Sequence, residues 1–274
     1  MNIVPLAPVP NLERVAALIR ETADSELLPR LGRLAAGDIR EKRPGDLVTI
    51  ADESAERAIT AGLHALLPGV PVIGEEAVAA DPSLLSHLDA LGHAWLVDGL
   101  DGTSNFAAGK EAFAIIVCLL RAAEPVAGWI LHPVSGVMAM AEEGAGVTLD
   151  GARVRLEPAP PLSDMNGFLT WHFLRRLDAD PLREAALRRF GQLGSKNCAG
   201  LEYLQLLQGA RHFSLYRRTR PWDHAAGALM IGEAGGVAAR FDGASFAANQ
   251  PSDAGILSAP DRSSWQQIHD LLLG

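Results

Sequence analysis

Two apolar runs, Trp95–Val97 and Phe113–Leu120, flank the stretch Asp98-Gly99-Leu100-Asp101-Gly102-Thr103-Ser104. Short runs of this kind, bounded by turn residues, read as buried strands. Any fold that buries both must hold a Gly-broken turn with two acids at the edge of its core. The first strand is expected to stop at Asp98. Clustered carboxylates repel one another, so a site that converges them calls for a cation. Backbone N–H groups at Gly102, Thr103 and Ser104, next to a hard cation, suit a phosphate. The pattern points to metal-assisted chemistry on a phosphate ester. The same residues also read as an ordinary Asp-Gly surface turn, with Thr103 and Ser104 as simple helix caps.

Composition narrows the function classes. The chain has 274 residues, 48% hydrophobic and 21% charged, enough for one large core or two packed subdomains. A net charge of −9 argues against general nucleic-acid or anionic-membrane binding. It leaves room for an anionic substrate, because bound cations reverse the field locally. The two cysteines, Cys118 and Cys198, suggest neither a disulfide framework nor a Cys-based zinc site. The N-terminus does not read as a signal peptide, and no apolar run approaches the roughly 20 residues of a membrane span. A cytoplasmic protein is the expectation.

The pattern along the chain changes character near Glu157-Pro158-Ala159-Pro160-Pro161-Leu162, the best linker candidate. Residues 1–155 read as an α+β half. Asn11 can cap a first helix, with Pro29 a kink or break; Asp38–Thr49 reads as a mobile loop or hairpin; Asp52 begins a second helix. Strands follow at Val70–Gly74, Ala94–Val97, Phe113–Arg121, Val126–His132 and Val137–Ala141, with a short helix over Asp81–Leu91 and a turn at Leu149-Asp150-Gly151. Residues 156–274 read as an α/β half. Its helices fall at Pro181–Phe190, Cys198–Gln208, Trp222–Ala234 and Ser263–Leu273, and its strands at Ala210–Leu215 and Gly255–Ser258.

Three segments accompany the central turn. They are Asp46-Leu47-Val48-Thr49-Ile50-Ala51-Asp52, Val72-Ile73-Gly74-Glu75-Glu76 and Pro221-Trp222-Asp223-His224-Ala225-Ala226-Gly227. In this order and spacing, from about Lys42 to Gly236, the four resemble the inositol monophosphatase family of magnesium-dependent, lithium-sensitive phosphatases. Gly99 stands where the family usually has proline, which loosens the turn and removes no ligand. The resemblance implies a layered αβαβα sandwich with the site between its halves. Residues 1–155 would then carry most metal ligands, and 156–274 would carry Asp223 and the substrate-specificity residues.

The same resemblance implies two or three Mg²⁺ ions. One is held by Glu75, Asp98 and the Leu100 carbonyl, a second by Asp98, Asp101 and Asp223, and a weaker third lies near Glu75. It makes the Thr103 hydroxyl, paired with Asp52, the group that orients and deprotonates the attacking water, with Glu75 among the catalytic residues. Gly102, Thr103 and Ser104 would hold the phosphate. The expected partner is a small phosphorylated substrate, with no nucleic acid and no membrane, and the expected assembly is a homodimer. Inositol monophosphate is the default substrate and histidinol phosphate the runner-up; fructose 1,6-bisphosphate, a 3′-phosphonucleotide and NADP are other family substrates. A rival of another class is a regulatory, protein-binding member of the family. One departure bears on substrate. Enzymes that prefer inositol monophosphate carry a glutamate seven residues before the Trp-Asp aspartate, and here that position is Tyr216, followed by Arg217, Arg218, Thr219 and Arg220. A phenol cannot take two hydroxyl protons as a carboxylate does, and guanidinium groups at the mouth would favour a second anion on the substrate.

Overall fold

The computed structural model describes residues 9–89, 92–169, 185 and 187–274. Half of the expected helix over Pro181–Phe190 lies outside them. The chain begins with α1 (Leu12–Thr22), whose first N–H groups are capped by the Asn11 side chain. A hairpin follows, β1 (Ile39–Arg43) and β2 (Asp46–Thr49), then α2 (Ile50–Leu66). Asp52 is not the start of α2 but its third residue. Thr49 is the N-cap, and the Asp52 carboxylate reaches back to the Thr49 N–H in a capping box.

Among the described residues, seven strands form one sheet in the order of the chain: β3 (Val72–Gly74), β4 (His93–Asp101), β5 (Ala114–Arg121), β6 (Glu124–Leu131), β7 (Met138–Glu142), β8 (Gly146–Leu149) and β9 (Ala152–Val154). Only the β3–β4 pair is parallel. Between β3 and β4 lie α3 (Glu75–Ala80) and, where a short helix was expected, a 3₁₀ helix over Pro82–Asp89. The turn at Leu149–Gly151 joins two strands too short and polar to register as such in the sequence. Beyond β4 comes α4 (Thr103–Ala107). The second sheet contains β10 (Gly167–Leu169), β11 (Leu193–Gly194), β12 (Phe213–Tyr216), β13 (Val237–Ala239) and β14 (Ile256–Ala259), in the order β11-β10-β12-β14-β13. The helices α5 (Ala199–Leu207), α6 (Pro221–Glu233) and α7 (Arg262–Leu272) belong to the second half.

Period-2 alternation explains the layering. Trp95, Val97, Ile115, Val117 and Leu119 pack against α1 and α2, while Leu96, Ile116, Cys118 and Leu120 face α5 and α6. Tyr216 and Ile256 of the second sheet bury against the same α5–α6 layer, and Leu169, Phe213, Leu215 and Leu257 pack against Trp265 and Ile268 of α7. The result is an αβαβα sandwich. Both faces of the large sheet are covered, which is why β5 is apolar along nearly its whole length. No helix among the described residues is long and apolar enough to cross a membrane.

The strand before the central motif does not stop at Asp98. It continues to Asp101 through a β-bulge: Asp98 pairs with Ile116 and Asp101 with Ala114, so three steps on β4 match two on β5. Without a bulge, residues three apart on a strand point to opposite faces. The extra residue flips that parity. It turns Asp98 and Asp101 to the same face and leaves Leu100 with the α1–α2 core.

Gly99, the departure from the family pattern, sits inside this bulge against α2. A Cβ there would lie 2.8 Å from the Glu56 backbone nitrogen and 3.2 Å from its Cα. The glycine is a close-approach residue that lets α2 bring Asp52 to the acidic turn. Gly99→Pro, although it restores the family's usual residue, is therefore expected to destabilise the chain by about 1–3 kcal/mol through overpacking. Urea unfolding checks this, and unchanged stability would show that α2 can shift without cost.

Candidate active site

The acids gather where both core layers end. Glu75 opens α3, Asp98 lies on β4 before the bulge, and Asp223 sits in the first turn of α6. One carboxylate oxygen from each lies within 4.8 Å of the others. Asp98 and Asp223 are held well above the usual carboxylate range, first by burial and then by the charge of Glu75. Asp101 is pushed up to about 6 by burial, against the opposing hydrogen bond from Gly200. Asp101 does not join the tight group of three. Its Oδ2 accepts from the Gly200 N–H at 2.6 Å and from Cys198 Sγ at 3.1 Å, at the entry to α5. The Leu100 N–H donates to Asp98 Oδ1 at 2.9 Å, which fixes that carboxylate across the bulge.

Asp52 serves two neighbours at once. Its Oδ2 takes the Thr49 N–H at 2.8 Å and the Thr49 hydroxyl at 2.5 Å, while its Oδ1 accepts from Thr103 Oγ1 at 2.7 Å. Burial raises its pKa, and the Thr49 and Thr103 hydroxyls oppose that rise. One Asp52 oxygen thus serves the cap of α2 and the other the Thr103 hydroxyl. Thr103 Oγ1 also lies 3.2 Å from the Leu100 carbonyl oxygen. Gly102 precedes α4 with φ +94°, and a Cβ there would meet the Ala112 carbonyl at 2.8 Å. Thr103 and Ser104 then open α4, whose first N–H groups have no acceptor within the helix.

Several contacts that shape the site are not evident from the sequence. Lys42 on the hairpin reaches Glu75 Oε1 at 3.1 Å and Glu76 Oε1 at 2.8 Å. Burial alone would lower the Lys42 pKa, but the two glutamates outweigh it and raise it. Arg220 reaches the same Glu75 Oε1 at 2.8 Å and Asp46 at 3.5 Å, and Trp222 Nε1 donates to Glu75 Oε2 at 3.1 Å. Arg220 is exposed like Arg217 and Arg218, but its guanidinium turns onto the acid cluster. Glu56, one helical turn from Asp52, accepts the Glu76 and Ala77 N–H groups at 2.8 Å each and so fixes the start of α3. An acid one turn after Asp52 on an otherwise apolar face was the available clue.

Tyr216 differs most from its expected place. It is buried in the layer between the sheets rather than turned outward, and its hydroxyl donates to the Glu202 carboxylate. Glu202 is 1% exposed and is pushed up to about 7 by burial, against the hydrogen bond from Tyr216. β12 directs Tyr216 inward because Tyr216 and Ser214 share the face toward the core helices.

His224, beside Asp223, is buried against Tyr203 and Tyr216, and burial lowers its pKa to about 4. Between its ordinary value near 6.5 and 4, the unfolded chain binds a proton that the native chain refuses. Stability from this group is complete above pH 6.5 and falls as pH falls, by about 3 kcal/mol once both values are passed. The urea-unfolding free energy of the wild type is expected to drop relative to His224→Gln across this window. A pH-independent difference would mean that the native state accommodates the charged imidazole.

Three carboxylates from three chain segments, a fourth acid held by a helix entry, and a hydroxyl–carboxylate pair thus lie together at this edge of the sandwich. Residues 11–273 match the model of the Inositol monophosphatase family, and the chain belongs to that family. An inositol-1-monophosphatase of Rhizobium meliloti (strain 1021) is 32% identical over 244 residues, 86% of each chain. A fructose-1,6-bisphosphatase/inositol-1-monophosphatase of Thermotoga maritima is 30% identical over 211 residues, 74% of this chain and 75% of that protein. Among solved structures, an inositol monophosphatase of Thermotoga maritima superposes with a TM-score of 0.79 at 23% identity, covering 95% of this chain and 96% of that one, which shows the shared fold.

Proposed function

We propose that the chain is a Mg²⁺-dependent phosphomonoesterase acting on a small phosphate ester. The observation that carries this reading is the convergence of the Glu75, Asp98 and Asp223 carboxylates within 4.8 Å. An all-oxygen, highly charged donor set drawn from one buried and two half-buried positions fits a hard divalent cation and gives soft or Cys-preferring metals nothing to favour. In this reading Glu75, Asp98, the Leu100 carbonyl, Asp101 and Asp223 hold the ions, residues 1–155 supplying all but the last. Magnesium bound there supplies Lewis acidity and lowers the pKa of water. The chain's own residues do the rest. Thr103 Oγ1, with its proton directed to Asp52 Oδ1, orients the attacking water by its lone pairs and passes a proton toward that carboxylate. Gly102, Thr103 and Ser104 present N–H groups to the phosphate oxygens, which accumulate charge as the ester bond breaks.

Inositol monophosphate is the default substrate, supported by the names of the relatives. Tyr216 supports a second reading. Its hydroxyl proton is committed to Glu202, and both Glu202 oxygens are occupied, so neither group offers a free carboxylate to a polyol. The test is kcat/KM for inositol 1-phosphate against fructose 1,6-bisphosphate, histidinol phosphate and a 3′-phosphonucleotide. One of the last three is expected to exceed inositol 1-phosphate by about tenfold or more, a difference of about 1.4 kcal/mol. Inositol 1-phosphate best by the same margin would return the assignment to the default.

A further inference from the structure

The turn that leads into α5 is held by two buried side chains. Asn197 has φ +51°, in the left-handed region. Two buried side chains fix this turn from opposite sides. Asn105 Nδ2 donates to the Lys196 carbonyl at 2.9 Å and to the Ala112 carbonyl at 2.7 Å. Glu202 Oε1 accepts the Lys196 N–H at 2.6 Å and the Ser195 hydroxyl at 2.9 Å. The other Glu202 oxygen takes the Tyr216 hydroxyl. Immediately after the turn, Cys198 and Gly200 make the contacts that hold Asp101.

We propose that Glu202, braced by Tyr216, is the positioning residue for Asp101: it fixes the Ser195–Asn197 turn, and through it the α5 entry that orients the Asp101 carboxylate. A left-handed residue in a short turn keeps its place through the contacts around it, and Glu202 supplies two of them, to the Lys196 N–H and the Ser195 hydroxyl. The functional part rests on the reading of Asp101 as a metal ligand; the structural part does not. Glutamine has the shape of Glu202 but one acceptor oxygen in place of two. It cannot accept from the turn and from Tyr216 on separate oxygens, so Glu202→Gln must leave a buried donor unpaired on one side.

The two cysteines supply a readout that does not depend on turnover. Cys198 lies at the end of the turn, and Cys118 lies in the centre of β5; both are buried. Site-resolved labelling with a maleimide, followed by mass spectrometry, reports each separately. In Glu202→Gln the Cys198 rate is expected to rise about tenfold or more with Cys118 unchanged, because only the α5 entry opens. Mn²⁺ affinity, read by electron paramagnetic resonance, is expected to fall about tenfold, the scale at which partners behind a ligand act. Tyr216→Phe, which removes only the hydroxyl, should shift both in the same direction by less, and it serves if Glu202→Gln does not fold. Parallel acceleration of both cysteines would overturn the proposal, since Glu202 would then merely stabilise the whole chain. Unchanged Cys198 labelling would overturn it too, as would released Cys198 with unchanged Mn²⁺ affinity, which would break the link to Asp101. A wild-type protein that binds no Mn²⁺ would sink the metal reading itself while leaving the labelling result to judge the turn.

Discussion

Asp98→Asn is expected to lower kcat by at least about a hundredfold, roughly 3 kcal/mol of transition-state stabilisation. Asp98 is the buried centre of the acid cluster, and its carboxylate is already oriented by the Leu100 N–H. An amide at this position keeps the shape and removes the charge that a divalent cation needs. Stability should move the other way. A buried acid whose pKa is raised contributes fully at low pH and loses that contribution as pH rises through the raised value. In chelator at neutral pH the wild type therefore bears the cost of burying Asp98 beside the other acids, and Asp98→Asn should melt higher. With saturating Mg²⁺ the order should reverse, because the wild type alone gains the full binding energy. Near wild-type turnover in Asp98→Asn would contradict the proposed role of the cluster.

Thr103→Ala and Asp52→Asn should each cost about a hundredfold or more in kcat, the usual range for a lost proton-transfer partner. The double variant should be little worse than the poorer single one, since a hydroxyl whose proton has no destination and a carboxylate with no donor are the same lesion. Asp52→Asn carries a second effect that Thr103→Ala lacks. It disturbs the Thr49 capping box and should lower stability by about 1 kcal/mol. Thermal melts separate that loss from the catalytic one. Additive losses in kcat would show that the two residues act in different steps, with Asp52 reduced to its capping role.

The sequence made the strands legible because β4 and β5 are buried on both faces and so read as unbroken apolar runs. It made the acidic segments legible because each carboxylate follows directly on an apolar strand or opens a helix. It could not reveal how those acids face one another. Asp98 and Asp101 share a face only because of a one-residue bulge, and register is a property of two strands, not one. Gly99 looked like a loosened turn and is instead a point of contact with α2. Lys42, Glu56 and Glu202 went unrecognised, and the pairing of Arg220 with Glu75 was missed, for a common reason. Each acts on a partner distant in the chain or across the sandwich, and a lone charged residue on a helix or hairpin looks like solvated surface. Tyr216 occupied a position named by the resemblance, but the acid that claims its hydroxyl comes from α5. That pairing exists only once the second sheet packs against the helices.

The measurement that bears most directly on the central claim is phosphate release by the purified protein after chelation and after readdition of Mg²⁺. A panel of small phosphate esters is followed in wild type and Asp98→Asn. At least one ester should be hydrolysed by the wild type with Mg²⁺. Turnover should vanish in chelator, return on readdition, and be inhibited by Li⁺ at tens of millimolar, a dose of the order expected for a weakly bound monovalent ion; Asp98→Asn should stay near background throughout. Hydrolysis that persists in chelator, or that survives in Asp98→Asn, would contradict the assignment of the Glu75–Asp98–Asp223 cluster as the metal centre of a phosphatase.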